Sequence, residues 1–161
     1  MVDKVLTEAL DDPSEPIEWA DAQKSLSWLS RYTGLDEAAA LFLQVRLVDL
    51  STYYADEEKR GFLRGKLHDA LLAKKGKRIM LISSHSMGSI VAYDVLRALG
   101  KDNPEFEVSY FMTLGSPLGM PYVLHKIRNE NAAVRTPSVV RHWTNVVDGG
   151  DYFVLRKAST R

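Results

Sequence analysis

The sequence predicts an α/β fold, in which a short parallel sheet is flanked by helices. Two observations lead to this prediction. Residues 1–75 form a helical portion with apolar residues at helical spacing, whereas residues 76–161 alternate short apolar runs with helical segments, as strands and helices of a parallel sheet do. With 161 residues, of which 45% are hydrophobic and 26% charged, we expect one globular domain over residues 1–161.

The helical portion is expected to contain three helices. They extend from Ile17 to Arg31, from about Asp36 to Leu50, and from Asp56 to Lys74. Apolar residues recur in each at intervals of three and four, and Gly34 and Gly76 follow the first and third helices as stops. The third begins with acidic residues and ends with lysines, as the helix dipole favours.

The second portion, residues 76–161, is expected to supply the sheet. Its strands extend from Arg78 to Ser83, from Val108 to Leu114 and from Ser138 to Val147. The first of these strands is expected to be buried, because it is an uninterrupted apolar run. A helix from Met87 to Leu99, closed by Gly100, connects the first two strands.

Composition excludes several classes of function. Lys plus Arg equals Asp plus Glu at 21 each, so no basic surface for nucleic acid is expected. Cysteine is absent, which excludes disulfides and thiolate metal sites, and no metal-ligand spacing or phosphate loop points to a cofactor. We expect no signal peptide, because the first residues lack a basic start followed by an apolar stretch, and no apolar run approaches the roughly 20 residues that span a bilayer. We therefore expect a cytoplasmic protein without a transmembrane segment.

One segment of the sequence predicts a catalytic serine. A serine hydroxyl becomes a nucleophile when a tight strand-to-helix turn holds it beside a base, with backbone N–H groups directed at the developing oxyanion. Ser86 occupies such a turn, the small residues Ser84 and Gly88 let strand and helix pass closely, and the Met87 N–H lies at the helix N-terminus. The alternative is a polar connection in which Ser84 or Ser86 only caps the helix.

Three segments in order resemble the lipase/esterase-like family of α/β-hydrolases, which are serine hydrolases. They are Ile79 to Leu96 (IMLISSHSMGSIVAYDVL), Thr113 to Gly119 (TLGSPLG) and Trp143 to Asp151 (WTNVVDGGD). The resemblance implies a partial α/β-hydrolase core behind a helical N-terminal half. It also implies hydrolysis of carboxylic esters through an acyl-enzyme on Ser86, as in an esterase or lipase.

The resemblance assigns further roles. The Met87 N–H is implied as half of the oxyanion hole, and Asp151 as the acid that orients a histidine. Asp148 is the competing acid, and the Asp-Gly-Gly-Asp run that contains both is also strong turn chemistry by itself.

The family's histidine follows the acid, and no histidine follows Asp151 in this sequence. We expect His125 as the base, because it lies beyond a loop that leaves its strand at the same sheet edge as Ser86. The competing interpretation is a surface histidine on a helix. The remaining histidines are expected to lie away from Ser86: His68, His85 and His142.

The resemblance leads us to expect a chain shortened at both ends relative to the family. Three explanations of the missing histidine stay open: a shortened descendant, a hydrolase with a displaced histidine, and a site completed by a second chain. The leading hypothesis is hydrolysis of acyl or lipid-like esters, and the alternative is a catalytically inactive interaction module. A homodimer formed through a sheet edge or the helical half is also expected. Four apolar residues either line an acyl pocket or belong to the core: Leu118, Met120, Tyr122 and Val123.

Overall fold

The computed structural model describes residues 48–76, 78–131 and 133–146. The expected helix from Ile17 to Arg31, most of the helix that ends at Leu50, and both candidate acids, Asp148 and Asp151, lie outside the described residues. The described part is an α/β fold with a three-stranded parallel sheet and flanking helices, which confirms the predicted fold class.

The elements follow the expected order. They are α1 (residues 48–55), α2 (Glu57–Leu72), β1 (Ile79–His85), α3 (Met87–Asp102), β2 (Val108–Leu114), a 3-10 turn (Pro117–Gly119), α4 (Pro121–Asn131) and β3 (Val140–Val146). The three expected strands are confirmed to within two residues at each end. Helix α2 begins after Asp56, whose carboxylate accepts the Lys59 N–H at 3.0 Å as an N-cap.

Helix α3 does not stop at Gly100. It continues to Asp102, and the Asn103 N–H closes it by bonding to the Leu99 carbonyl at 2.8 Å. A Cβ atom at Gly100 would collide with the Oγ of Ser138, in the turn before β3. The glycine therefore permits a close approach between helix and turn instead of ending the helix.

The strands lie in the order β1-β2-β3, and all are parallel. Ser84 of β1 lies in register with Thr113 of β2, which lies in register with Asn145 of β3. The Ser86 N–H donates to the Leu114 carbonyl at 3.0 Å, just beyond the paired strands. The chain thus leaves β1, β2 and β3 at one common edge of the sheet.

One face of the sheet is packed. The β1-α3-β2 and β2-α4-β3 connections both advance in the same direction, and right-handed crossovers then place α3 and α4 on the same face. A core cluster between α3 and the sheet includes Val95, Leu96, Leu99 and Phe111. The alternative that placed Leu118, Tyr122 and Val123 in the core is confirmed, since all three are buried, with Met120 packed against them.

A partly buried ion cluster joins three helices. Arg60 of α2, only 4% exposed, donates to both Glu130 carboxylate oxygens of α4 at 2.6 Å and to Asp94 of α3 at 3.1 Å. The Tyr53 hydroxyl donates to the same Asp94 oxygen at 2.8 Å. Burial by itself lowers the pKa of the Arg60 guanidinium, but the two carboxylates outweigh it and raise that pKa. This cluster holds α4 and α2 against α3.

The prediction that the first strand is buried is wrong. Met80 and Leu81 of β1, which point to opposite faces, are each 53% exposed. There are two physical reasons. Strand β1 is an edge strand of the described sheet, and Leu81 lies on the same face as Tyr110 of the central strand β2, which is 50% exposed, so no described helix covers that face. No helix among the described residues has the length and apolar character needed to cross a membrane.

Candidate active site at the carboxyl edge of the sheet

Ser86 has a strained backbone. Its φ of 50° and ψ of −126° make it the non-glycine residue with positive φ in the part of the chain that the structure describes. These angles are those of the first central position of a type II′ turn, which glycine normally occupies. A side chain held there costs about 1–3 kcal/mol, and such strain concentrates at functional sites.

The strained backbone of Ser86 is not explained by a side-chain cap on helix α3. Ser86 is the N-cap residue of α3, yet its side chain makes no cap hydrogen bond. The Ser84 hydroxyl donates to the Met112 carbonyl of β2 at 3.4 Å and so is not directed to the helix either. Neither Ser84 nor Ser86 therefore caps helix α3 with its side chain, and the capping alternative is not what the structure shows.

A backbone donor lies next to that hydroxyl. Met87 is the first residue of α3, a helix of 16 residues, and no hydrogen bond to its N–H occurs among the described residues. The first N–H groups of a helix have no partner within it, and the helix dipole adds positive potential there. An oxyanion formed at Ser86 would meet this potential.

Gly88 does not act as the sequence suggested. A Cβ atom built at Gly88 meets no atom within 4 Å, apart from its chain neighbours and its own helix backbone, in the described region. Close passage of strand and helix therefore does not require glycine at this position. The sharp turn is achieved by the backbone angles of Ser86 itself.

The loop after β2 borders the same edge. Gly115 has a φ of 50°, and its N–H donates to the Val146 carbonyl of β3 at 3.1 Å. The buried Ser116 hydroxyl accepts the Leu118 N–H at 3.3 Å, which fixes the start of the 3-10 turn. These bonds hold the ends of β2 and β3 beside the Ser86 turn.

A polar chain that the sequence analysis did not single out lies below the site. The buried Thr113 hydroxyl donates to Asn145 Oδ1 at 2.7 Å and accepts the Trp143 Nε1–H at 3.1 Å. These residues tie β2 to β3 one register step before the strands end. The available signal was a polar residue at the position before the last residue of each strand, Thr113 in β2 and Asn145 in β3.

The histidines lie in different places. His125 is on α4, where its Nε2 lies 3.0 Å from the Asn129 amide nitrogen, and His68 contacts Asp69 on α2. His85 ends β1, and His142 stacks on Tyr110 within the sheet, their rings 5.1 Å apart. Among the described residues, no hydrogen bond joins an imidazole to the Ser86 hydroxyl. The role of His125 as base stays a prediction.

No acid or metal ligand set is described at this edge. The candidate acids Asp148 and Asp151 lie outside the described residues, so their distance from Ser86 is not defined. Within residues 48–76, 78–131 and 133–146, no group of three or more His, Asp or Glu side chains could hold a metal ion. The site described here consists of a strained serine, a free helix N-terminus and two tied strand ends.

Comparison with family models, with curated proteins and with solved structures finds no match for this chain.

Proposed function

We propose that this chain is a carboxylic-ester hydrolase, built on a partial α/β-hydrolase core, that forms an acyl-enzyme on Ser86. The observation that supports this most is the positive φ of Ser86 at the strand-to-helix turn. An ordinary connection has no need of a strained serine whose hydroxyl bonds to nothing in the helix. A nucleophile does, because the turn projects Oγ above the edge of the sheet.

The proposed reaction has two steps. The Ser86 oxygen attacks the ester carbonyl carbon while a base takes the serine proton, and the carbonyl oxygen becomes an oxyanion that the Met87 N–H stabilises. The bond to the alcohol oxygen then breaks, and the alcohol leaves with the proton from the base. Water attacks the acyl-enzyme in the same manner, which releases the acid and restores the serine.

The remaining roles follow the sequence resemblance. We assign the base to His125 and the orienting acid to Asp151, with Asp148 as the competing acid. The substrate class is an acyl or lipid-like ester, and no cofactor takes part in the steps above. We also propose that the protein acts as a homodimer in the cytoplasm.

A second candidate is an inactive interaction module that keeps the hydrolase sheet. It is favoured by one observation: the described histidines, including His125, make no hydrogen bond to Ser86. A serine without a base is a weak nucleophile. The two candidates differ in whether the Ser86 hydroxyl is activated.

A serine-directed fluorophosphonate probe separates them. We expect the wild-type protein to be labelled at Ser86, and Ser86→Ala to abolish labelling. Ser83→Ala is the matched control, because Ser83 is an exposed serine of β1 with ordinary strand geometry, and it should label like the wild type. Absence of label together with absence of p-nitrophenyl ester hydrolysis would leave the interaction module as the function.

The base requires its own test. His125→Ala should lower the labelling rate by about 10²-fold or more if His125 removes the serine proton. His68→Ala, which changes a half-buried histidine of α2 that contacts Asp69, is the control and should have no effect. Unchanged labelling in His125→Ala would show that another group activates Ser86, without affecting the assignment of the nucleophile.

A further inference from the structure

Among residues 48–76, 78–131 and 133–146, the outer edge of β1 has none of the features that normally protect an edge strand. Residues Ile79–His85 contain no proline and no Asp, Glu, Lys or Arg. Their register with β2 is continuous, so no bulge bends the strand away. Natural sheets guard exposed edges with charge, proline, bulges or covering elements, because a free edge pairs with other chains.

The opposite edge of the sheet is different. Strand β3 carries Arg141, an exposed residue whose guanidinium donates to Glu107 at 2.7 Å. Charge on an edge strand opposes pairing with a second strand, since pairing would desolvate it. The protection of β3 and the lack of protection on β1 single out one edge for assembly.

The apolar side chains of β1 are exposed on both faces. Met80 and Leu81 point to opposite sides, and each is 53% exposed. Leu81 shares its face with Tyr110 of β2, which is 50% exposed, so an element laid on that face would cover Leu81 but leave Met80 exposed. A strand added to the β1 edge would cover part of Met80 and Leu81 at once, and the exposure of Met80 on the other face therefore fits a strand.

The backbone direction fixes which residues could pair outward. The Ser86 N–H points to β2, where it bonds to Leu114. Backbone groups alternate in direction along a strand, so those of Leu81 and Ser83 point away from β2. In an antiparallel pair, two copies of Leu81 could then exchange both of their backbone hydrogen bonds.

A second copy of this chain is the complementary occupant. In a pairing centred on Leu81, Leu81 opposes Leu81, and Met80 opposes Ile82, so the apolar residues meet one another. No like charges are brought together among Ile79–His85. We propose that the outer edges of β1 from two copies pair in this antiparallel register, which joins two three-stranded sheets into one.

The absence of cysteine from the chain permits a clean test. In Leu81→Cys the two introduced thiols lie opposite each other, with Cα atoms about 5.5 Å apart, within the range for a disulfide. The matched control is Tyr110→Cys, since Tyr110 is 50% exposed on the same face and lies in register with Leu81 on β2. Its two copies would be about 14 Å apart, too far for a disulfide.

The wild type should show twice the 18.1 kDa chain mass in light scattering, and mild oxidation should cross-link Leu81→Cys but not Tyr110→Cys. Equal cross-linking of both variants would indicate face-to-face stacking and overturn the edge pairing. A monomeric mass with no cross-link in either variant would overturn the dimer itself.

Two further variants act on the edge. Ser83→Pro removes an outward N–H but no bond to β2, and Leu81→Lys places a charge on the edge. Both should shift the mass to that of the monomer while circular dichroism remains that of the wild type. If the proline variant fails to fold, the lysine variant decides, and a dimer retained in Leu81→Lys contradicts the proposal.

Discussion

Strands β1 and β2 leave the sheet at the same edge and with the same backbone φ of 50°, but through different residues. At the end of β2 the residue is Gly115, which adopts positive φ without a steric penalty. At the end of β1 it is Ser86, for which the same φ is strained. Both residues anchor their turn by donating an N–H to the neighbouring strand. The geometry is thus shared, and only β1 carries a side chain at that point.

The difference between Gly115 and Ser86 shows which residue the turn requires and which residue needs another explanation. A glycine at position 86 would serve the turn at lower cost, so the fold does not explain the serine. Its hydroxyl makes no helix cap, whereas the nearby Ser116 hydroxyl accepts a backbone N–H. The Ser116 hydroxyl therefore has a structural function, whereas the Ser86 hydroxyl does not cap its helix, which is consistent with the nucleophile that we propose.

The largest effect on stability is expected at Gly115. Gly115→Ala should lower the free energy of unfolding by about 1–3 kcal/mol, because a Cβ atom is then forced into positive φ. Denaturant unfolding followed by circular dichroism measures it. Gly61→Ala is the control and should not lower the free energy of unfolding, since Gly61 lies inside α2, a Cβ there meets nothing within 4 Å and its φ is not positive. Equal stability of Gly115→Ala and the wild type would mean that φ of 50° is tolerated here without strain.

Much of this arrangement could be predicted from the sequence. Apolar runs at Ile79–Ile82 and Val108–Leu114 identified the strands, and their parallel order placed Ser86 at the edge that also carries the Gly115 loop. Local patterns carry this information because strand and helix periodicities differ. The turn at Ser86 was likewise recognisable from the small residues around it.

Other features depend on contacts that no local pattern encodes. Exposure of β1 depends on which strand lies at the edge of the sheet and on which face the helices cover, and the apolar run alone could not reveal either. The Arg60 cluster joins residues separated by 34 and 70 positions in the chain. The sequence predicts a helix stop at Gly100, and this is wrong because the role of Gly100 comes from its tertiary contact with Ser138.

A smaller effect of opposite sign is expected at the serine. Ser86→Gly should raise the free energy of unfolding by about 1 kcal/mol, because relief of the strain exceeds the added flexibility of the unfolded chain. The same variant should not be labelled by the fluorophosphonate probe. Thermal unfolding and labelling are measured on one preparation. A less stable Ser86→Gly would indicate that the serine supports the fold, and it would contradict the conclusion that Ser86 is strained where Gly115 is not.

A smaller gain in stability is expected from a substitution at Gly88. Gly88→Ala should raise the free energy of unfolding by about 0.5 kcal/mol, because Gly88 lies in α3 and a Cβ atom there has free space among the described residues. Gly100→Ala in the same helix is the matched contrast, since its Cβ would meet Ser138 and part of the helix gain would be lost. Destabilisation by Gly88→Ala would show that close packing at this turn does require glycine.

The smallest effect on stability is expected from Ser86→Ala, which keeps the Cβ atom and hence the strain. Since Ser86 Oγ makes no cap bond, its removal should change the free energy of unfolding by less than about 0.5 kcal/mol. Ser116→Ala should cost about 1 kcal/mol, because the buried Ser116 hydroxyl accepts the Leu118 N–H. Chemical denaturation of the two variants compares the two strand ends directly. If Ser86→Ala costs as much as Ser116→Ala, the Ser86 hydroxyl has a structural bond, and the strain at that turn no longer argues for a nucleophile. If it costs nothing while labelling is lost, the hydroxyl contributes to reactivity and not to folding.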